Sequence, residues 1–341
     1  MNVTSITEEF NQRNQRVAQA CQSHWAINLG HKFRTWSILF DKNRRAVYCH
    51  APKAGCTFWL RIFSFINLHS QMKELGIRSP FEIDRIKVHN GELTPHGGGA
   101  NWTSFKNAFH SFAKRFIFTR DPYARLWSVY LDKYYLPDFW NRYELSQDIC
   151  VTNISFSDFL ALAMSSNEAH VRTIASMCNP CEFNPHFIGK VETFTRDARH
   201  ILEAVSYRKL IDNYDFINYT ITELKSISSN YYFIYDNEKL ERCLSKKDLA
   251  RRMWLVFQHN GHIKTSTPFP EGLSDYTNTT MESVLTDLVL TDPIGKDESH
   301  AQRRASLVQA YNGVEPRLIR AIQEKFRIDF EMFDYDIRPP V

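Results

Sequence analysis

The segment Pro52-Lys53-Ala54-Gly55-Cys56-Thr57-Phe58-Trp59 restricts the fold of this chain more than any other. A β-like run, Ala46-Val47-Tyr48-Cys49-His50, leads into it. Phe58, Trp59, Ile62, Phe63 and Ile66 then recur at the spacing of one helix face. Strand, small loop and helix N-terminus in that order suit a phosphate, because unpaired backbone N–H groups and the helix dipole both point at the anion. Gly55 permits a positive φ or a close backbone approach. Lys53 supplies a point charge and Thr57 a hydroxyl in the first helical turn. The nucleoside-triphosphatase loop G-x-x-x-x-G-K-[ST] does not fit, since here the lysine precedes the glycine. The segment reads as a phosphate loop of another kind.

A second basic segment narrows the choice. Arg115-Phe116-Ile117-Phe118-Thr119-Arg120 reads as a short buried strand ending in arginine, and Asp121-Pro122 breaks it. Tyr123 to Tyr135 reads as a helix with Leu126, Val129 and Tyr130 on one face, and proline is well placed in its first turn. Arg120 at the strand end and Ser128 in the helix can converge on one anion. The arginine would grip it with a planar fork, and the serine would add a directional hydrogen bond.

Together and in this order, the two segments resemble the nucleotide boxes of sulfotransferases that use 3′-phosphoadenosine 5′-phosphosulfate (PAPS). The likeness is closest to the Golgi carbohydrate sulfotransferases of the chondroitin and dermatan type. Their P-K-x-x-C-[TS]-x-W loop matches Pro52 to Trp59. Their R-[DE]-P-[FY]-x-R-L-x-S-x-Y box matches Arg120, Asp121, Pro122, Tyr123, Arg125, Leu126, Ser128 and Tyr130. Cys178-Asn179-Pro180-Cys181 followed by Phe187-Ile188-Gly189-Lys190-Val191-Glu192-Thr193, and Asp329-Phe330-Glu331-Met332-Phe333-Asp334-Tyr335, are similar to two further family blocks. One position departs: where the family has His-Trp ahead of the first of these cysteines, His170 is followed by Val171. That loss bears either on acceptor stacking or on local packing.

The resemblance implies an α/β, P-loop-like sulfotransferase fold with a mainly parallel central sheet flanked by helices. It implies PAPS as co-substrate without a metal, a glycosaminoglycan or glycoprotein glycan as acceptor, and a Golgi location with membrane association. Pro52, Lys53, Ala54, Gly55, Cys56, Thr57, Phe58, Arg120, Arg125 and Ser128 are the expected nucleotide-binding residues. Lys53 and His170 are the expected catalytic ones. Lys53 would meet the bridging oxygen, where negative charge grows on the leaving phosphate. His170 is the first choice for the base that takes the acceptor's proton, because it keeps a family spacing; His89, between the boxes, is the second. His50, His96, His110 and His186 are further histidines, and Asp or Glu could serve equally.

Bulk properties are compatible with this. A chain of 341 residues, 43% hydrophobic, can bury a full core. A net charge of +4 is too mild to point to nucleic acid, while local basic patches would suffice for a nucleotide and an acidic glycan. Residues 1–40 read as a stem-like segment and 41–341 as the catalytic domain. No run of about eighteen apolar residues and no signal peptide occurs, so the sequence shows no anchor. Sequons at Asn2, Asn101, Asn153, Asn218 and Asn278 lean towards the secretory pathway. Seven cysteines leave at least one thiol unpaired within the chain. No second C-x-x-C supports zinc at Cys178 and Cys181, which could each bridge elsewhere, for example to Cys150 or Cys243. Cys56 reads as a small loop residue rather than a nucleophile.

Along the chain, Gly97 to Gly99 mark a loop between the two boxes. Ser157-Asp158 opens an amphipathic helix, Arg199–Arg208 and Lys246–Phe257 are helical, and Ser245 caps the latter. Tyr231 to Tyr235 reads as β-like, Gly261 to Asp297 as largely loop, and Glu298 to Phe326 as a helix interrupted near Pro316. Acceptor choice would rest on 68–110 and 136–170, outside the matched blocks. Two other functions compete. A catalytically silent glycan-binding relative would not need Lys53, Arg120 and Ser128, all of which are present. A nucleoside-triphosphate kinase or ATPase is opposed by the inverted loop and the lack of a clear metal-binding acidic strand.

Overall fold

The computed structural model describes residues 5–22, 38–41, 43, 45–93, 113–140, 154–212, 215–238 and 240–341. The glycine loop at 97–99, the sequons at Asn2, Asn101 and Asn153, His96, His110 and Cys150 lie outside the described residues. The chain divides into two compact units. One comprises Met1–Arg125, Met164–Asn213 and Ile319–Arg338; the other comprises Leu126–Ala163, Tyr214–Leu318 and Pro339–Val341.

The first unit carries the sheet. Strands β1 (Ile38–Phe40), β2 (Ala46–Cys49), β3 (Lys114–Thr119) and β4 (Phe187–Lys190) lie side by side in chain order. β1 is antiparallel to β2, and the other two pairings are parallel. The architecture is thus α/β, with a small, mostly parallel sheet flanked by helices. All four residues of β2 and the last four of β3 are buried. That accounts for their continuous apolar runs, because a parallel strand is covered on both faces. The register pairs Cys49 with Ile117 and Thr119 with Lys190, so the parallel strands end along one edge. Ligands of open α/β sheets bind at that carboxyl edge.

Aromatic packing fixes the helix Cys56–Asn67 to this sheet. Trp59 and Tyr48 place their ring centroids 4.5 and 5.0 Å from that of Phe116. Phe118 stands 4.9 Å from Phe194, the first residue of the helix Phe194–Ala204. Each such pair contributes about 0.5–1.5 kcal/mol beyond its buried area.

The outer edge of β4 is covered by the helix Ile6–Ala20, within the segment expected to be stem-like. Asn14 donates its side-chain amide to His186 O (2.8 Å), and Arg13 Nη1 donates to Ile188 O (2.9 Å). These bonds occupy edge carbonyls that would otherwise template another strand. Phe10 and Val17 are buried in the core. Cys21 is bonded to Cys181 and Cys49 to Cys178. The paired cysteines are therefore not bonded to each other, but their partners differ from the expected Cys150 and Cys243. Sequence distances of 160 and 129 residues leave no local signal for such pairings. Cys243 is itself disulfide-bonded.

The second unit is helical, and two expectations are corrected there. Tyr231 to Tyr235 belongs to the helix Phe216–Asn237 rather than a strand. Ser228, Tyr231, Tyr232 and Tyr235 are buried while Phe233 is 59% exposed, a three-to-four-residue period. Asp215 caps the helix start through Ile217 N. Here the helix face outweighs the β-propensity of the aromatics. The stretch 261–297, expected to be largely loop, carries a helix at Asn278–Thr291, capped by Thr277, that buries Met281, Leu285 and Val289. The helix Lys246–His259 begins at the cap Ser245, as the sequence suggests. The helix Pro122–Val129 continues as a wider π-helical segment, Tyr130–Tyr135. No described helix is long and apolar enough to cross a membrane.

Gly189 in β4 has a close neighbour. A Cβ built there would lie 2.4 Å from Phe118 Cζ. Gly189→Ala is expected to lower the unfolding free energy by about 1–3 kcal/mol. Phe118→Leu in the same chain should recover part of that loss, as denaturant titration of the single and double variants would show.

Candidate active site

The loop between β2 and the helix Cys56–Asn67 is held in an uncommon shape. Ala54 N bonds back to Ala51 O at 3.3 Å, and both alanines are buried. Lys53 has φ +65°, rare for a residue with a side chain, and Gly55 has φ +77°. A Cβ at Gly55 would also lie 2.4 Å from Phe194 Cε2, so only glycine fits. Gly55 is the N-cap residue and brings no capping side chain, leaving the first-turn N–H groups of the helix for an anion. Strain of this kind is retained where function demands it, at about 1–3 kcal/mol per residue.

Arg120 leaves the end of β3 and donates Nη1 to Lys53 O at 3.1 Å. The two basic segments singled out in the sequence therefore meet at the carboxyl edge of the sheet. Burial lowers the Arg120 pKa, opposed by the charges of Glu192 and Asp121. Asp121 is pushed up to about 6 by burial, although its carboxylate accepts from Ala124 N at 2.8 Å. Glu192 accepts from Asp121 N (3.0 Å) and from the Tyr335 hydroxyl (3.1 Å), which stands 2.9 Å from that of Thr119. The two distal sequence blocks thus brace the strand end that presents Arg120.

Arg125 is placed differently. It is 1% exposed and donates Nε to Pro52 O (3.0 Å), Nη1 to Arg172 O (2.5 Å) and Nη2 to Ala169 O (3.3 Å). Its guanidinium ties the start of the loop after β2 to the 3-10 turn Ala169–Val171, which carries His170. In that turn Glu168 Oε1 lies 2.8 Å from His170 Nδ1, and Glu168 Oε2 accepts from His170 N. Val171, the departure from the family pattern, is 1% exposed, so its side chain serves packing.

Thr57 Oγ1 lies 3.0 Å from His89 Nε2, a contact between the first turn of the helix after the loop and the end of the short helix Arg85–His89. Sequence spacing carries no sign of this pairing. Phe58 packs edge-on against Phe194 at 5.0 Å. Ser128 belongs to the second unit, because the division falls inside its helix after Arg125. The loop residues, Arg120, Arg125 and His170 all belong to the first. His186 accepts from Arg115 N through Nδ1 (2.9 Å) and is held down at about 4, chiefly by burial, which makes it a neutral structural group.

A family model described as "Sulfotransferase family" matches residues 36–255, more than half of the chain. Among curated relatives, carbohydrate sulfotransferase 9 of Homo sapiens is 26% identical over 227 residues, covering 60% of this chain and 49% of that protein. Carbohydrate sulfotransferase 11 of Danio rerio is 26% identical, covering 57% and 60%. Carbohydrate sulfotransferase 10 of Gallus gallus is 27% identical, covering 72% of each. The chain spans about half to three fifths of the length of the first two. No solved structure matches it significantly.

Cys56 is the free thiol among the described residues. Burial pushes its pKa up, but the hydrogen bond and charge of His50, joined by Lys53, more than offset this and bring it to about 6. Because the folded value lies below the ordinary 9.0, the thiolate's stabilising contribution is complete above pH 9 and is lost as pH falls through about 6. Ultraviolet thiolate absorbance should titrate with a midpoint near pH 6 and vanish in Cys56→Ser. A midpoint in the ordinary thiol range would contradict the assigned environment.

Proposed function

The chain belongs to the sulfotransferase family, and on that premise we propose that it moves a sulfuryl group from PAPS to a hydroxyl of a glycan. The relatives named as carbohydrate sulfotransferases support the acceptor class. One observation carries the reading: Arg120 Nη1 donates to the backbone carbonyl of Lys53, bringing the arginine strand end to a left-handed loop below an uncapped helix N-terminus. That arrangement suits a nucleotide with phosphates at both ends.

Sulfuryl transfer is in-line displacement, in which the protein positions the reactants and stabilises charge. Lys53 places its ammonium where negative charge develops on the leaving phosphate. The N–H groups from Gly55 to Phe58 hold the 5′-phosphate. Arg120 takes the 3′-phosphate. Arg125, spent on three backbone carbonyls, acts by positioning the loop and the His170 turn. Glu168 on Nδ1 would fix the tautomer of His170 and orient Nε2 to receive the acceptor's proton. His89 has the rival claim through its contact with Thr57. We place the enzyme in the Golgi lumen, an oxidising setting in which Cys21–Cys181 and Cys49–Cys178 persist.

Lys53→Ala is expected to lower kcat by about 10²–10³ while glycan binding survives. Radiolabelled sulfate transfer to a panel of chondroitin, desulfated dermatan and heparan-precursor chains measures it. Glycan binding without transfer in the unmodified protein would favour the silent binding relative. Replacing the base, His170→Asn or His89→Asn, should cost about 10²–10⁴ and remove one limb of the pH–rate profile. The other replacement should leave that limb in place.

A further inference from the structure

A cavity of about 390 Å³ opens in the first unit between the helix Ile6–Ala20, the end of β4 and the C-terminal helix Arg327–Phe333. Its size falls in the lower part of the range for small-ligand sites, ~300–1,000 Å³. One face of the N-terminal helix lines it with Gln12, Arg13, Arg16 and Gln19, and Lys190 and Asp334 face them. Amide, guanidinium and carboxylate groups set together in one cavity match a hydroxyl-rich sugar that bears an acid group.

The cations differ in how firmly they are held. Arg13 is anchored by the buried Asp197 at 2.5 Å and is 13% exposed. Lys190 Nζ donates to Asp334 O at 3.1 Å and stands 4.3 Å above the Tyr335 ring. Arg16 Nε donates to Glu331 O at 2.9 Å, while its Nη2 pairs with Asp334 at 3.2 Å, with the two side chains 50% and 68% exposed. An ion pair that open is worth about 0–1 kcal/mol and can exchange its carboxylate for one on a ligand.

Two features tie the cavity to the proposed chemistry. Lys190 pairs in register with Thr119, one residue before Arg120, and so sits one strand spacing, ~4.8 Å, from the end of β3. Tyr335, under Lys190, also bonds Glu192, which holds Asp121 N. In addition, the N-terminal helix that walls the cavity lies outside residues 36–255, the part the family model matches, whereas the C-terminal helix overlaps the block Asp329–Tyr335 that resembles the family. Shared residues suit the common donor, and unshared ones suit what differs between members.

We propose that this cavity is an acceptor subsite that holds an acidic sugar residue of the glycan chain, with Arg16 as its exchangeable anion contact and Gln12 as a hydroxyl partner. It rests on the reading of the chain as a carbohydrate sulfotransferase. It assigns the N-terminal helix a part in choosing the acceptor.

The test uses the full chain, saturated with adenosine 3′,5′-bisphosphate, and unsulfated chondroitin, desulfated dermatan and N-acetylheparosan oligosaccharides as probes. Calorimetry reads binding, and steady-state transfer reads KM and kcat. At least one probe should bind, and its carboxyl-reduced form should bind more weakly. Arg16→Glu should weaken that binding by about tenfold or more, as expected for loss of a charge-assisted contact. Arg16→Lys should retain most of it, and Gln12→Ala should weaken it less than Arg16→Glu. Nucleotide affinity and the melting temperature should stay as in the unmodified chain, and the transfer defect should fall on acceptor KM rather than kcat. Equal binding by Arg16→Glu and the unmodified chain, or binding of no probe by the unmodified chain, overturns the subsite. Arg16-dependent binding with no transfer to any probe would keep the subsite and sink the proposed activity instead.

Discussion

The guanidinium of Arg125 is the contact on which the candidate site depends. Buried among backbone carbonyls, it bonds Pro52 at the start of the loop after β2 and both Ala169 and Arg172 around the histidine turn. A buried cation is costly unless its donors are satisfied. Here the fork geometry directs three donors to three carbonyls, and the charge of Asp329 stands near enough to favour the ionised form. Burial alone would lower the arginine further than the value of about 10 it has. Lysine in this place would present its donors from a single nitrogen and lose the spread by which three guanidinium nitrogens each reach a separate carbonyl.

Asp329 extends this arrangement. Its carboxylate accepts from Ile174 N and Ala175 N at 2.8 and 2.9 Å, capping the helix Ile174–Cys178 that the Cys49–Cys178 bond fastens to β2. Burial raises its pKa to about 6 against the pull of these two N–H groups and of Arg125. The last block of the chain thus closes onto the segment that follows His170. Glu192 and Tyr335 do the same for the strand end at Arg120. Residues that resemble family motifs without being obvious ligands therefore act as braces, holding cationic groups at fixed positions. Such preorganisation is what electrostatic catalysis requires.

Local sequence was most legible where structure is made by near neighbours. The strand–loop–helix unit at 46–67, the strand before Arg120, the proline at the start of the next helix and the cap at Ser245 all follow from residues within a few positions of one another. It was least legible where an element draws its character from distant partners. The aromatic run at Tyr231–Tyr235 has the composition of a strand, but its buried face is set by a long helix. Thr277 stands in a polar stretch, and only the burial of Met281, Leu285 and Val289, four residues apart, marks the helix that it caps.

The sequence by itself determined the strand–loop–helix unit at 46–67, the arginine strand end and the family, because these depend on residue types at short, fixed spacings. Folding decided which groups meet: Thr57 with His89, Arg125 with the His170 turn, and Cys21 and Cys49 with cysteines more than a hundred residues away. It also brought the N-terminal helix onto the edge of β4, through Arg13 and Asn14. Such contacts depend on sheet register and on which faces are buried. Both are properties of the packed chain, and no short window of sequence contains them.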